Sequence, residues 1–454
     1  MKWLIIAVFY LAPMSSWALT QEEVVSSSLK HFPQVIQSMQ SLEQATQEAR
    51  AARGAFDGKI KFDADARTEG YYDGDAYKAT IEKPIPFFNS KIYGGKRQSY
   101  GDFPVYEGKS VTLDNGELFA GASVSLLRNA MIDENRYEIR NRDQLEIQAK
   151  EKLRMSQIEV QTAALKAYWT WFIKGQELRV FEDILGLAQK RARQIARRIK
   201  AGDLARIYET ENNQYIRKRE AQLNQSQIDF QKASYYLSLF YRDKDGRPIV
   251  MNKESVPMLK NKTLQPGINQ SQVFDRALGE NIDLKILDSQ RQQAQLDVRL
   301  GTNEILPKVD VNFEWSQDQT ATAQPVLQEE NRIMLKLEVP FQYRKGLGKR
   351  NAGKAKLEQI KTKTQWVKEK LSVSVNTMVM QLAAMADIYR LTLDQVNLSK
   401  KLAKAERRKF SQGASDLILV NIREENMADA QIKNAVLLLA FVLERQDKLE
   451  QSPM

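Results

Sequence analysis

Strict alternation of apolar and polar positions marks two pairs of strands. Ile60, Phe62, Ala64 and Ala66 alternate with Lys59, Lys61, Asp63, Asp65 and Arg67. Val309, Val311, Phe313 and Trp315 alternate in the same way with Lys308, Asp310, Asn312 and Glu314. Two further stretches follow: Leu118, Ala120, Ala122, Val124 and Leu126, then Ile333, Leu335, Leu337, Val339 and Phe341. A period of two predicts a strand with one apolar and one polar face.

Helical periodicity surrounds these strands. Thr20-Gln21-Glu22-Glu23 is a capping box that predicts a helix through about Ala52. From about Asn129 to Ala201 there is no Pro and there are two Gly, Gly175 and Gly186. Such a helix exceeds ~100 Å at ~1.5 Å per residue. Leu178, Phe181, Leu185, Ala188, Ala192, Ile195 and Ile199 are spaced by three and four in alternation, which is a coiled-coil seam. Ile388, Leu391, Leu398, Leu402 and Ala405 form a poorer one. Returning helices are expected from about Asp203 to Leu239 and from about Asp416 to Leu449, and residues 242–270 read as an irregular linker.

The halves repeat. Leu278, Leu284 and Val309 follow Leu29, Val35 and Ile60 by 249 residues each. A constant offset across a helix and a strand marks an internal duplication. The offset drops to 215 between Leu126 and Phe341, which leaves 34 additional residues in the first half. They fall in a Gly-, Pro- and Tyr-rich segment, residues 82–110, read as loops with a short extra hairpin. The expected organisation is a signal peptide at 1–18, a first repeat at 19–241, the linker, and a second repeat at 271–454. Each repeat runs helix, strand, strand, long helix, turn, long helix.

Composition narrows the chemistry. The 454 residues include no Cys and one His, His31, so thiol catalysis, disulfides and Cys-containing metal sites are excluded. No nucleophile–base pair or metal cluster is visible, and a non-enzyme without cofactor is expected. The formal net charge is +11. The basic residues are interleaved with acids, with no RNP motif, finger spacing or basic tail, so nucleic acid is not an expected partner. "GKRNAGKA" at 348–355 approaches a P-loop, but Ala355 stands where the Mg²⁺-ligating hydroxyl belongs. At the N-terminus Lys2, an apolar run from Trp3 to Leu11 and Ser16-Trp17-Ala18 read as a secretory signal, with a mature start at Leu19. No later segment reads as long and apolar enough to span a membrane as a helix.

Amphipathic strands of ~10 residues in an exported chain suit a tilted transmembrane β-strand. Four strands cannot close a barrel, and an open edge cannot sit in lipid, so further copies of the chain must complete it. The competing arrangement is a sheet whose apolar face packs on helices.

This architecture resembles the TolC-like outer-membrane efflux protein family. The resemblance rests on "LTQEEVVSSSLKHFPQV", "EILPKVDV", "LKLEVPFQYRKG" and "RKFSQGASDLILVNIREENMADAQIKNA", in this order, over nearly the whole mature chain. It implies a mainly α fold with transmembrane β: a homotrimer in which four strands per chain form one outer-membrane barrel of twelve, continued by a periplasmic coiled-coil barrel. It implies an outer-membrane channel of a Gram-negative bacterium, serving tripartite efflux or type I secretion, with a periplasmic adaptor (membrane fusion protein) and an inner-membrane transporter as partners. A periplasmic coiled-coil or adhesive protein without channel activity is the alternative.

The resemblance also gives the repeated turns "ARRIKAGD" and "ERRKFSQGASD" a place, at the periplasmic tips. Gly202 and Gly413 suit the left-handed residue that ends a helix, and Asp203, Ser415 and Asp416 suit caps for the next one. Ala201, Gly202, Asp203, Gln412, Gly413, Ala414 and Ser415 are the expected adaptor-docking tips. Tyr208 and Leu419 stand where the family often places Asp. Glu209, Glu211, Asp416, Glu424 and Glu425 are acids that substitute in an entrance ring, with Arg206 and Arg423 near them. The basic composition suits anionic cargo if it extends to the lumen.

Overall fold

The computed structural model describes residues 18–67, 69–104, 111–259, 264, 269–319 and 329–449. The expected signal segment up to residue 17 lies outside them, as do 105–110 and parts of the linker (260–263 and 265–268). The order is α1 (Gln21–His31), α2 (Pro33–Arg53), β1 (Lys59–Ala66), β2 (Asp75–Ile85), β3 (Ser90–Tyr100), β4 (Glu117–Ser125), α3 (Glu134–Lys200) and α4 (Ile207–Ser238). Then come α5 (Gln270–Glu280), α6 (Ile282–Asn303), β5 (Lys308–Asp318), β6 (Glu329–Glu338), α7 (Arg344–Ser411) and α8 (Leu417–Leu449). The chain divides into two compact units.

One unit comprises Met39–Lys152 and Ile282–Val367. Its centre is an antiparallel sheet in the order β1-β2-β3-β4-β5-β6. Four strands per chain were expected and six are present among the described residues, because residues 75–100, which begin ahead of the Pro- and Gly-rich segment and run into it, form a full hairpin of two 11-residue strands. Pro84 lies near the end of β2, opposite Lys91, where a missing N–H costs little. Gly95 is needed where β2 and β3 approach closely, since a Cβ there would stand 2.0 Å from the Ala79 carbonyl oxygen. The hairpin turns through Phe88 and Asn89 at φ +50° and +45°. The Ser125 N–H donates to the Phe88 carbonyl at 2.9 Å and ties the turn to β4.

In the same unit β1, β4, β5 and β6 each continue into a helix, α2, α3, α6 and α7 respectively. These helices pack in that order. Arg53 and Arg142 meet Asp143 and Glu48 at 2.6 Å each across α2 and α3. Tyr137 of α3 donates to Asp297 of α6 at 2.6 Å. Between α6 and α7, a Cβ on Gly301 would stand 2.4 Å from the Arg350 nitrogen, and one on Gly353 2.8 Å from a Val298 methyl. Residues 348–355 therefore lie inside α7 as ordinary helix, and Gly353 serves close helix packing. The P-loop resemblance has no loop behind it.

The other unit comprises Met1–Ser38, Leu153–Asn281 and Lys368–Met454. The capping box forms: Glu23 N–H donates to Thr20 Oγ1 at 3.3 Å, and Thr20 N–H to Glu23 Oε2 at 2.9 Å. The first helix, expected to be continuous, breaks at Phe32 before Pro33, because Pro disfavours helical backbone in the residue before it. The core gathers Val24, Ala164, Tyr168, Trp171, Phe172, Phe230, Leu237 and Phe240. The linker returns to it: Val256 packs on Gly175, and Arg179 and Gln176 donate to the Val256 and Pro257 carbonyls.

The seam expected along α7 faces the other way. Leu382, Tyr389, Val396, Ala403 and Phe410, spaced by seven, are buried, while Ile388, Leu391, Leu398, Leu402 and Ala405 are exposed. Leu391 and Leu398 show 64% and 59% of their surface. α7 and α8 each contain a window apolar enough to cross a membrane, contrary to the sequence expectation. Seam-forming packing positions account for that apolarity in a helix pair.

Candidate functional site

The ladder register sorts the sheet into two faces. One carries Ile60 and Phe62, then Ala79 and Ile81, Ile92, Leu118, Ala120 and Ala122, Val311, Phe313 and Trp315, and finally Ile333, Leu335 and Leu337. This apolar face is bare: Ile60, Ile333 and Leu335 are 83%, 73% and 69% exposed. Aromatic side chains lie exposed at its two ends, with Phe87, Phe88, Phe341 and Tyr343 near the helices and Tyr71, Tyr77 and Tyr100 far from them.

The opposite face is polar, with buried groups in its middle strands and exposed ones on β1 and β6. Arg97 makes a two-pronged contact with Glu117 and reaches Glu314 at 3.4 Å. Tyr93 donates to Glu314 at 3.0 Å. Glu82 accepts from Lys61 at 3.1 Å and Lys91 at 3.3 Å. Ser125 donates to Asp310 at 2.8 Å. Thr80, Ser99, Glu117, Glu314 and Ser316 are buried here. Tyr93 covers Gly121, and Phe119 covers Gly95, each ring lying over its direct cross-strand partner. Along the strands this face carries eight basic side chains and nine acidic ones, so its charge is close to balanced. The expected anionic-cargo preference finds no basis in it.

A soluble sheet hides its apolar face and wets its polar one. Here the apolar face stays bare, no helix covers it among the described residues, and the buried side chains of the middle strands are polar ones. The competing arrangement, an apolar face packed on helices, is not the one formed.

The helical turns form a second candidate site, within the other unit. After α3, Asp203 N–H donates to Arg198 O at 2.9 Å and Gly202 N–H to Ile199 O at 3.1 Å. After α7, Ala414 N–H donates to Lys409 O at 2.9 Å and Gly413 N–H to Phe410 O at 3.1 Å. Both are Schellman endings with glycine left-handed, at φ +81° and +78°. The two turns meet: Arg198 donates to the Phe410 carbonyl at 3.1 Å. Beneath them Ile195, Ile199, Leu204, Tyr208, Phe410, Leu417 and Val420 form one apolar cluster.

Ala201, Gly202, Asp203, Gln412, Gly413 and Ala414 are exposed, and Ser415 is half-buried. Of the three expected caps, Asp416 alone caps its helix. α4 begins at Ile207 without a side-chain cap, so Asp203 stands outside it. Ser415 donates to Glu406 instead of capping α8, and Asp416 accepts from Ile418 N–H at 3.5 Å. Of the entrance candidates, Glu209, Asp416 and Leu419 are exposed, Tyr208, Glu211 and Arg423 half-buried. Glu425 pairs with Lys218 at 2.9 Å.

Glu424 is not at a surface at all. It is fully buried and lies 3.1 Å from Arg191, 2.9 Å from Arg219 and 3.4 Å from Arg407. Arg191 also donates to Asn212 and Asn421, and Arg219 to the Ile184 carbonyl. Burial pushes the Arg191 guanidinium below its usual range, Glu424 pulls it up, and Arg219 pushes it down again. Four helices contribute to this cluster, which no local sequence signal announces.

No family model and no curated protein matches the chain. Solved structures do. The CmeC outer membrane channel of Campylobacter jejuni aligns with a TM-score of 0.64 at 11% identity, over 95% of this chain and 85% of that one. The outer membrane protein VceC of Vibrio cholerae aligns at 0.63 and 13% identity, over 94% and 95%. The open state of the MtrE outer membrane channel of Neisseria gonorrhoeae aligns at 0.65 and 10% identity, over 97% and 92%.

Proposed function

We propose that this chain, which has the fold of the TolC-like outer-membrane channels, is itself an outer-membrane exit duct. The inverted sheet carries the reading. An apolar face left bare between two aromatic rims is what a lipid-facing barrel wall presents, and a polar opposite face is what a water-filled lumen presents.

The rest of the assembly follows from physical need and from the likeness. β1 and β6 are unpaired edges, and unpaired backbone cannot remain in lipid, so further copies of the chain close the wall. The exposed α7 seam at Leu391 and Leu398 has the spacing of a coiled coil and suits the same kind of neighbour. A homotrimer is the assembly that the resemblance implies. The turns at Gly202 and Gly413 serve as periplasmic tips for an adaptor, which links the duct to an inner-membrane transporter in an efflux or type I secretion system. The chain performs no chemistry of its own in this role.

Cell fractionation tests the proposal. A duct is recovered from the outer membrane as a trimer whose electrophoretic migration changes on heating. Recovery as a soluble periplasmic protein overturns it and favours a coiled-coil or adhesive role.

A further inference from the structure

Four of the six strands continue into a helix; β2 and β3 do not. The wall of this unit is therefore six strands wide on one side and four helices wide on the other. Packed helices lie about 8–10 Å apart, so four occupy about 36 Å of wall. Strands about 4.8 Å apart and tilted by about 40° take about 6.3 Å each along the circumference. Six strands then span about 38 Å, and four about 25 Å, by the same spacing. With β2 and β3 in the wall, the strand layer matches the helical layer that it continues.

The pairing is that of wall strands. β2 and β3 pair along their full length with each other, β2 also with β1 and β3 with β4. The apolar face passes through them without a break of side: Ile60 lies beside Ile81, and Ile92 beside Ala122. The polar groups of the hairpin at that face sit towards its ends: Lys83 lies beside Gly58 just ahead of β1, Asp75 and Ser90 are strand termini, and Lys96 and Gln98 lean towards Gly116 beyond the far strand end, with Gln98 donating to the Asp114 carbonyl at 2.8 Å. A hairpin adds two strands, so β6 of one copy still meets β1 of the next in antiparallel sense.

We infer that the β2–β3 hairpin widens the barrel to eighteen strands in a trimer and opens its outer exit to polypeptide cargo carrying helical structure. The inference rests on the duct reading above. Eighteen strands enclose a backbone circle about 36 Å across, against about 24 Å for twelve. At the level of the strands, side chains leave about 25 Å clear, room for two helices of about 10–12 Å each.

Electron micrographs of purified trimers in lipid discs read the ring directly. The expected backbone diameter is about 36 Å, and deletion of residues 75–100 narrows it by about one third. The register permits this deletion, since Phe62 and Leu118 then meet on one face. A wild-type ring of about 24 Å overturns this inference alone; no membrane ring at all overturns the duct reading and this inference with it. Full-length variants give a second measurement, because the chain has no Cys of its own. A membrane-impermeant thiol reagent labels Lys78→Cys and Lys91→Cys but not Ile81→Cys or Ile92→Cys when the hairpin is wall. Equal labelling of the two sets places the hairpin outside the wall and refutes the inference. A helical-hairpin polypeptide added at the outer side gives transient current blocks in the wild-type channel; no blocks overturn the cargo assignment.

Discussion

Glu424 lies 2.9 Å from Arg219, and solvent reaches neither side chain. Arg191 and Arg407 complete a cluster of three cations around one carboxylate. Removing the carboxylate leaves buried guanidinium groups facing one another without a counter-charge. Glu424→Ala is expected to cost about 3–5 kcal/mol, the range for breaking a buried pair from one side. Thermal unfolding followed by helical circular dichroism checks this, with exposed Glu209→Ala as the control that leaves the midpoint in place.

Gly95 and Gly121 are positions where only glycine fits, because strand backbone and an aromatic ring occupy the Cβ space. Gly95→Val is expected to cost more than about 3 kcal/mol through that collision. The fraction of protein migrating as a heat-modifiable trimer reports it. A variant indistinguishable from wild type contradicts the close approach of β2 and β3.

Gly413 holds φ +78° in the turn after α7. Gly413→Val forces a β-branched residue into left-handed backbone, at a cost of about 1–2 kcal/mol that is local to the turn. Export in cells is expected to fall while trimers still form. Normal export by this variant argues against adaptor docking at the turn.

Tyr168 donates to the Leu19 carbonyl at 3.0 Å inside the core. Burial, together with Glu22 and Glu23, pushes its phenol up to about 12. A folded-state value above the unfolded one stabilises the protein below the unfolded value, and that stability is lost as pH rises through the folded one. An alkaline loss between about pH 10 and 12 follows. Tyr168→Phe removes this component, which pH-dependent denaturation curves measure.

The polar face of the sheet is nearly charge-balanced despite the net charge of +11. Reversal potentials under a salt gradient are therefore expected to lie near zero for the barrel. A strong anion preference traces to the helices instead, and neutralising strand lysines such as Lys61 leaves it unchanged.

How much of this was legible in the sequence depended on the period of each signal. β1, β4, β5 and β6 declare themselves by alternation, and the capping box at Thr20 by spacing. β2 and β3 do not, since Pro84, Gly94 and Gly95 read as breakers until the aromatic covers and the close strand approach are seen. Along α7 two apolar series share a seven-residue spacing, Leu382 to Phe410 and Leu391 with Leu398, and periodicity alone does not say which faces inward. Glu424 read as an entrance acid because its partners lie on three other helices, with Arg191 233 residues away in sequence. The turn glycines were legible from position, and so was the Asp416 cap on α8, whereas Asp203 stands outside α4 and Ser415 found a partner in Glu406.

The outward series on α7 bears on how the protein comes to exist. A helix with apolar stripes on two sides is half-solvated in a lone chain, so an isolated copy exposes adhesive surface along with two open strand edges. Its apparent stability then depends on subunit concentration, by mass action. Synthesis, escort across the periplasm and encounter with sister chains become parts of one kinetic race, and dilution before assembly favours aggregation over a long-lived monomer.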